Sequence, residues 1–70
     1  MPNFDPELVQ VMRHALEEIM KKVPLEYATQ PTKAYLAECI LKAAAQGRTS
    51  YDALLAAAAD QIQTVLTLFS

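Results

Sequence analysis

The last third of the chain, residues 49–70, most constrains the fold, because it has the pattern of a long, alanine-rich helix with a wide apolar face. Its apolar side chains recur at alternating intervals of four and three residues, as in a coiled-coil seam; they are Tyr51, Leu55, Ala58, Ile62, Val65 and Phe69. No Lys or Arg follows Arg48. Because such a face must be covered by other helices, the pattern predicts packing and association.

A first helix is predicted over about residues 6–23. Asp5 fits its N-cap, the proline that follows fits its first position, and Pro24 ends it. Glu17 and Lys21 have the spacing and order of an ion pair on one helix face. The start signal and the stop signal therefore agree on one helix of several turns.

The second and third helices are predicted over about residues 31–46 and 50–69. Gly47 is the one glycine in the chain, and its place after the second helical pattern fits a residue with positive φ. Either Thr49 or Ser50 is suited to cap the third helix. The short turn predicts that the second and third helices form a compact hairpin or corner.

These elements predict an all-α fold, a three-helix bundle that forms a single domain over residues 1–70. A chain this short can bury little surface, yet 53% of its residues are hydrophobic, more than one small core uses. Its single Cys cannot form an intramolecular disulfide, so association is the remaining source of stability. We therefore expect a homodimer, with an interface on the third helix at Leu55, Ile62, Val65, Leu66 and Phe69.

Two stretches carry a resemblance to known proteins. The stretch L-A-E-C-I-L-K-A-A-A-Q-G at 36–47, followed by D-A-L-L-A-A-A at 52–58, is similar to a pattern in short, uncharacterised all-helical bacterial proteins. The two stretches make up about a third of the chain and consist mostly of residues used in helix packing. The resemblance implies a helical fold and assigns no activity and no functional residue.

The short turn between the second and third helices also invites a helix-turn-helix interpretation. Ala43 fits the small residue four positions before the turn glycine, but Arg48 stands where such a unit has an apolar residue. The third helix offers no Lys or Arg to read bases, and the net charge of −2 opposes phosphate binding. A DNA-binding regulator is therefore the less favoured alternative, and we expect no nucleic-acid partner.

Catalytic and metal-binding residues are sparse. His14, Glu17 and Glu18 have spacings that place them on one helix face, but they supply at most part of a metal site. Cys39 would need an activating base to act as a nucleophile, and the one histidine belongs to another helix. We expect no enzyme activity, no cofactor and no metal, with Cys39 as a small residue at the edge of the core.

The longest apolar run has seven residues, against the roughly 20 that a spanning helix needs, so we expect no membrane partner. The first residues, M-P-N-F-D-P-E, lack the basic and apolar regions of a signal peptide, which predicts a cytoplasmic location. The sequence thus predicts a small helical structural or interaction module that self-associates through its C-terminal helix. The alternative of a different class is a small regulator that binds a helix of a partner protein.

Overall fold

A computed structural model describes residues 5–68, which form four α-helices and one 3₁₀ turn, with no strand among them. The elements are α1 (Pro6–Lys22), the 3₁₀ turn (Leu25–Tyr27), α2 (Gln30–Ala45), α3 (Tyr51–Ala59) and α4 (Ile62–Leu68). Helices α1, α2 and α3 pack against one another, which confirms the predicted all-helical fold. Helices α1 and α2 lie within one residue of their predicted bounds.

Side-chain caps fix where the helices begin. The Asp5 carboxylate accepts a hydrogen bond from the Glu7 backbone N–H at 2.8 Å, as expected for the N-cap of α1. Of the two candidates for the cap of α3, Ser50 takes the role, since its hydroxyl accepts from the Ala53 N–H at 3.1 Å. These short-range bonds satisfy backbone donors that a helix start leaves without partners.

The end of α2 depends on Gly47. Its φ is +97°, a conformation that residues with a Cβ adopt only at an energetic cost. This turn lets the Gly47 N–H donate to the Ala44 carbonyl and the Arg48 N–H donate to the Ala43 carbonyl, both at 3.0 Å. The pair of bonds is a Schellman motif, and it directs the chain from α2 toward α3.

The single third helix predicted over residues 50–69 is wrong, because the helix is interrupted at Asp60 and Gln61. The Asp60 N–H still bonds four residues back to Ala56, but the Gln61 N–H bonds three residues back to Ala58, at 3.0 Å. The Tyr35 hydroxyl on α2 donates to the Gln61 side-chain oxygen at 3.0 Å and anchors this point. The residues beyond it are rich in β-branched side chains, which favour a continuous helix less than the alanines before it.

The core lies between α1, α2 and α3, and α4 contributes one fully buried residue, Val65. The buried apolar residues of the described part are Met12, Ala15, Ile19, Val23, Leu36, Ile40, Ala43, Ala44, Leu54, Ala58 and Val65. Four of these are alanines, so the helices can approach closely, but the core they enclose is small. Helix α4 makes fewer contacts with the other helices than α1, α2 and α3 make with one another.

Truncation of a core leucine should cost far more stability than truncation of a surface leucine on the same helix. Leu36 is fully buried, whereas Leu41 is 43% exposed. We expect Leu36→Ala to lower the free energy of unfolding by about 3 kcal/mol, because it removes buried apolar surface and leaves a cavity. Leu41→Ala should cost about 1 kcal/mol or less. Urea denaturation followed by circular dichroism measures both, and equal losses would contradict the assigned core.

Substitution of Gly47 should destabilise the protein through its backbone alone. A Cβ at this position meets no atom within 4 Å, so no clash contributes. We expect Gly47→Ala to lower the free energy of unfolding by about 1 kcal/mol, since alanine must adopt the left-handed conformation. Gln46→Ala, at the neighbouring exposed position with negative φ, is the control and should change stability by less than about 0.5 kcal/mol. An unchanged midpoint for Gly47→Ala in urea would show that the turn is not formed as described.

Candidate functional site

The interface predicted on the C-terminal helix is only partly available on the surface of a single chain. Leu55 on α3 and Ile62 and Leu66 on α4 are half-buried, whereas Val65 is fully buried in the core. Phe69 lies outside the described residues. Val65 therefore supports this surface from beneath and does not contribute exposed area of its own.

The interruption at Asp60 and Gln61 also divides the predicted seam. Helical spacing aligns Leu55 with Ile62 only along a continuous helix, and α3 and α4 are separate helices. On α4 itself, Ile62 and Leu66 lie one turn apart and therefore on one side of the helix, which we call the α4 face. Leu68 is 60% exposed, but it comes two residues after Leu66 and lies on the opposite side of α4. Helix α4 contains no charged residue.

A second apolar surface lies between the first two helices. A groove of about 600 Å³ opens between α1 and α2, and we call it the α1–α2 groove. It is lined by Val9, Met12, Arg13, Leu16, Glu17, Lys33, Ala37, Ile40 and Leu41. Val9 and Leu41 are 41% and 43% exposed, so the apolar character extends to the protein surface.

The sequence contained a signal for this groove. Val9 lies off the main apolar stripe of α1, and Ala37 and Leu41 form a second apolar row beside the core row of α2. Residues of this kind widen an apolar face beyond what one neighbouring helix covers. The sequence alone does not show that these additional apolar residues of α1 and of α2 lie side by side, because this depends on how the two helices pack.

The charges around the groove differ from those of the whole chain. Two cations, Arg13 and Lys33, line it together with one carboxylate, Glu17, in a protein of net charge −2. Ion pairing within residues 5–68 is limited to Lys21 with Glu18, whose side chains are 3.6 Å apart. The predicted pair between Glu17 and Lys21 is therefore wrong, since Lys21 turns to the carboxylate three residues back.

Cys39 borders a smaller depression of about 300 Å³ between α2 and α3. Burial raises the pKa of the Cys39 thiol; the Lys42 ammonium opposes this shift, and the Glu38 carboxylate adds to it. The side chain is half-buried, in agreement with the edge-of-core position expected from the sequence. A raised pKa keeps the thiol protonated at neutral pH and disfavours its use as a nucleophile.

His14 is exposed on α1, where it borders a shallow depression with Glu17, Glu18, Lys21 and Tyr51. Within residues 5–68, no three His, Cys, Asp or Glu side chains are grouped so that they could hold a metal ion. Of the helices in this same part of the chain, none combines the length and the apolar character needed to cross a membrane.

Comparisons with known proteins gave no relative: no family model matches the chain, and searches of curated proteins and of solved structures found no match. The functional interpretation therefore depends on the two apolar surfaces and the charges beside them.

The Cys39 thiol should react slowly in the folded protein. We expect its reaction with Ellman's reagent at pH 8 to be several-fold slower in buffer than in urea, with glutathione as a control for the effect of urea on the reagent. Burial raises the pKa of Cys39 in the folded protein, so the fold favours the protonated thiol. Any contribution of this thiol to the free energy of unfolding is therefore present at neutral pH and is lost as the pH rises through the folded-state pKa. A folded-state rate above that of glutathione at neutral pH would indicate an activated thiolate and contradict this environment.

Proposed function

We propose that this protein is a non-enzymatic helical interaction module that self-associates as a symmetric dimer through the α4 face and the adjoining surface of α3. The observation that carries the proposal is the composition and exposure of α4. This helix has no charged side chain, and it leaves Ile62 and Leu66 partly exposed and Leu68 60% exposed. Apolar side chains on an uncharged helix are stabilised when a second subunit removes them from water.

The size of α4 indicates how far the interface must extend. A helix of seven residues is about 10 Å long. Stable interfaces bury roughly 600 Å² or more on each partner, which is more than one face of so short a helix offers. The proposed interface therefore extends onto α3, where Leu55 is half-buried and Tyr51 is partly exposed. Because these two residues are one turn apart, they lie on the same side of α3.

The alternatives are supported by fewer observations. A regulator that binds a partner helix is favoured by the α1–α2 groove, a surface separate from the α4 face. A helix-turn-helix regulator would read DNA with α3, whose one charged residue is Asp52. Our proposal places the module in the cytoplasm. The reducing conditions there would keep a free cysteine such as Cys39 in its thiol form.

Charge introduced on the α4 face should disrupt the dimer. Light scattering behind a sizing column should give twice the chain mass of 7.7 kDa at micromolar concentration. Ile62→Glu and Leu66→Glu should shift the mass toward the monomer. Burial of the exposed half of one such side chain contributes roughly 1 kcal/mol; a symmetric dimer loses two copies, which raises the dissociation constant about 30-fold.

A matched control tests whether the position of the added negative charge matters. Gln10→Glu adds the same charge at an exposed position on α1 and should leave the dimer intact. Ile62 and Leu66 are only half-buried in the subunit, so each variant should preserve the helical circular dichroism spectrum, which is measured as a check on folding. A wild-type monomer across the micromolar range would end the proposal, as would dimers that persist in both α4 variants.

A further inference from the structure

We propose that the α1–α2 groove is a docking site for an amphipathic helix of a partner protein, with an apolar face flanked by acidic residues. This inference goes beyond the proposed self-association, because the groove and the α4 face share no residue. The partner is defined by three features of the groove: its length, its depth and its charge.

The length and the apolar walls fit a helix. The lining residues span Val9 to Glu17 on α1 and Lys33 to Leu41 on α2, so each wall runs for two helical turns, about 12 Å. Val9 and Leu41 expose more than a third of their surfaces at the rim. Partner helices that bind such grooves insert side chains spaced three, four and seven residues apart, which extend over the same two turns.

The depth of the groove comes from a small residue. Ala37 lies between Lys33 and Leu41 in one row of α2, with a spacing of four residues on each side. Its methyl group leaves space above the buried side chains of Met12 and Ile40 at the base. A longer side chain at position 37 would occupy the space that an inserted apolar residue of the partner requires.

The charges distinguish an acidic partner from a second copy of this chain. Arg13 on one wall and Lys33 on the other have no ion-pair partner among residues 5–68, and Glu17 is the one carboxylate in the lining. If two copies met through this face, four cations and two Glu17 carboxylates would enter one interface, which leaves an excess of two positive charges without partners. A partner with Glu or Asp on each side of its apolar face would instead meet a cation from either wall.

The probe for this proposal is a pair of synthetic, blocked peptides of about 18 residues, the length of a five-turn helix. Both carry Leu at intervals of three and four residues, and the positions that flank the leucines are Glu in one peptide and Lys in the other. Titration of the isotope-labelled full chain is followed by amide NMR shifts at physiological salt. The Glu peptide should shift amides of the two walls, over residues 9–17 and 33–41, and bind about tenfold more tightly than the Lys peptide.

Two alanine positions on α2 provide a matched pair of variants. Ala37→Leu fills the groove and should weaken binding of the Glu peptide by about tenfold or more, because its apolar contacts are blocked. Ala34→Leu makes the same change at an exposed position outside the groove lining and should leave affinity unchanged. Lys33→Glu should remove the preference for the Glu peptide, while Lys22→Glu, which is exposed and outside the lining, should retain it.

Several results would overturn the docking proposal. These are no shifts with either peptide up to the solubility limit, equal affinity for both peptides, shifts centred on α4, or binding unaffected by Ala37→Leu. Shifts of the groove amides that depend on protein concentration alone would identify a second copy as the occupant. Leu66→Glu distinguishes the two proposals, because it should weaken self-association and leave affinity for the Glu peptide unchanged.

Discussion

The close packing of α1, α2 and α3 depends on alanines at their contact surfaces. Ala15, Ala43, Ala44 and Ala58 are buried between the helices, where a small side chain permits close approach of two backbones. Larger residues such as Leu36 and Leu54 then fill the centre. This arrangement gives a dense core, but it limits how much apolar surface three short helices can remove from water.

Both candidate surfaces follow from that limit. Helix α4 contributes Val65 to the core and leaves the rest of its apolar side chains partly exposed, because the space between α1, α2 and α3 is already filled. On the outer side of α1 and α2, Val9 and Leu41 lie beyond the reach of α3 and border an open groove. An apolar surface that the subunit cannot cover is a site where association gains free energy. The two surfaces differ in charge, since α4 is uncharged and the groove carries two cations, so they suit different partners.

Features that depend on short-range chemistry could be predicted from the sequence. The cap at Asp5 and the left-handed Gly47 each involve residues within a few positions of one another, and their residue types favour one local conformation. For α3 the sequence left Thr49 and Ser50 as candidates, and the structure shows Ser50 in the role. The interruption at Gln61 could not be predicted in this way, because no proline or glycine marks it and a hydrogen bond from Tyr35, 26 residues away, anchors it. For the groove, the sequence showed the surplus apolar residues of α1 and of α2, but it did not show that they lie side by side, because that depends on how the two helices pack.

The central claim is that α1, α2 and α3 form most of the core and that α4, which adds Val65, is held weakly until a second subunit covers it. Amide hydrogen exchange, measured at several protein concentrations, tests this most directly. In dilute protein, the amides of Val65 to Leu68 should exchange much faster than those of Leu36 and Leu54. Their protection should then rise with concentration, because dimer formation stabilises the covered helix. Protection of α4 equal to that of the core at the lowest concentration, with no dependence on concentration, would contradict the account.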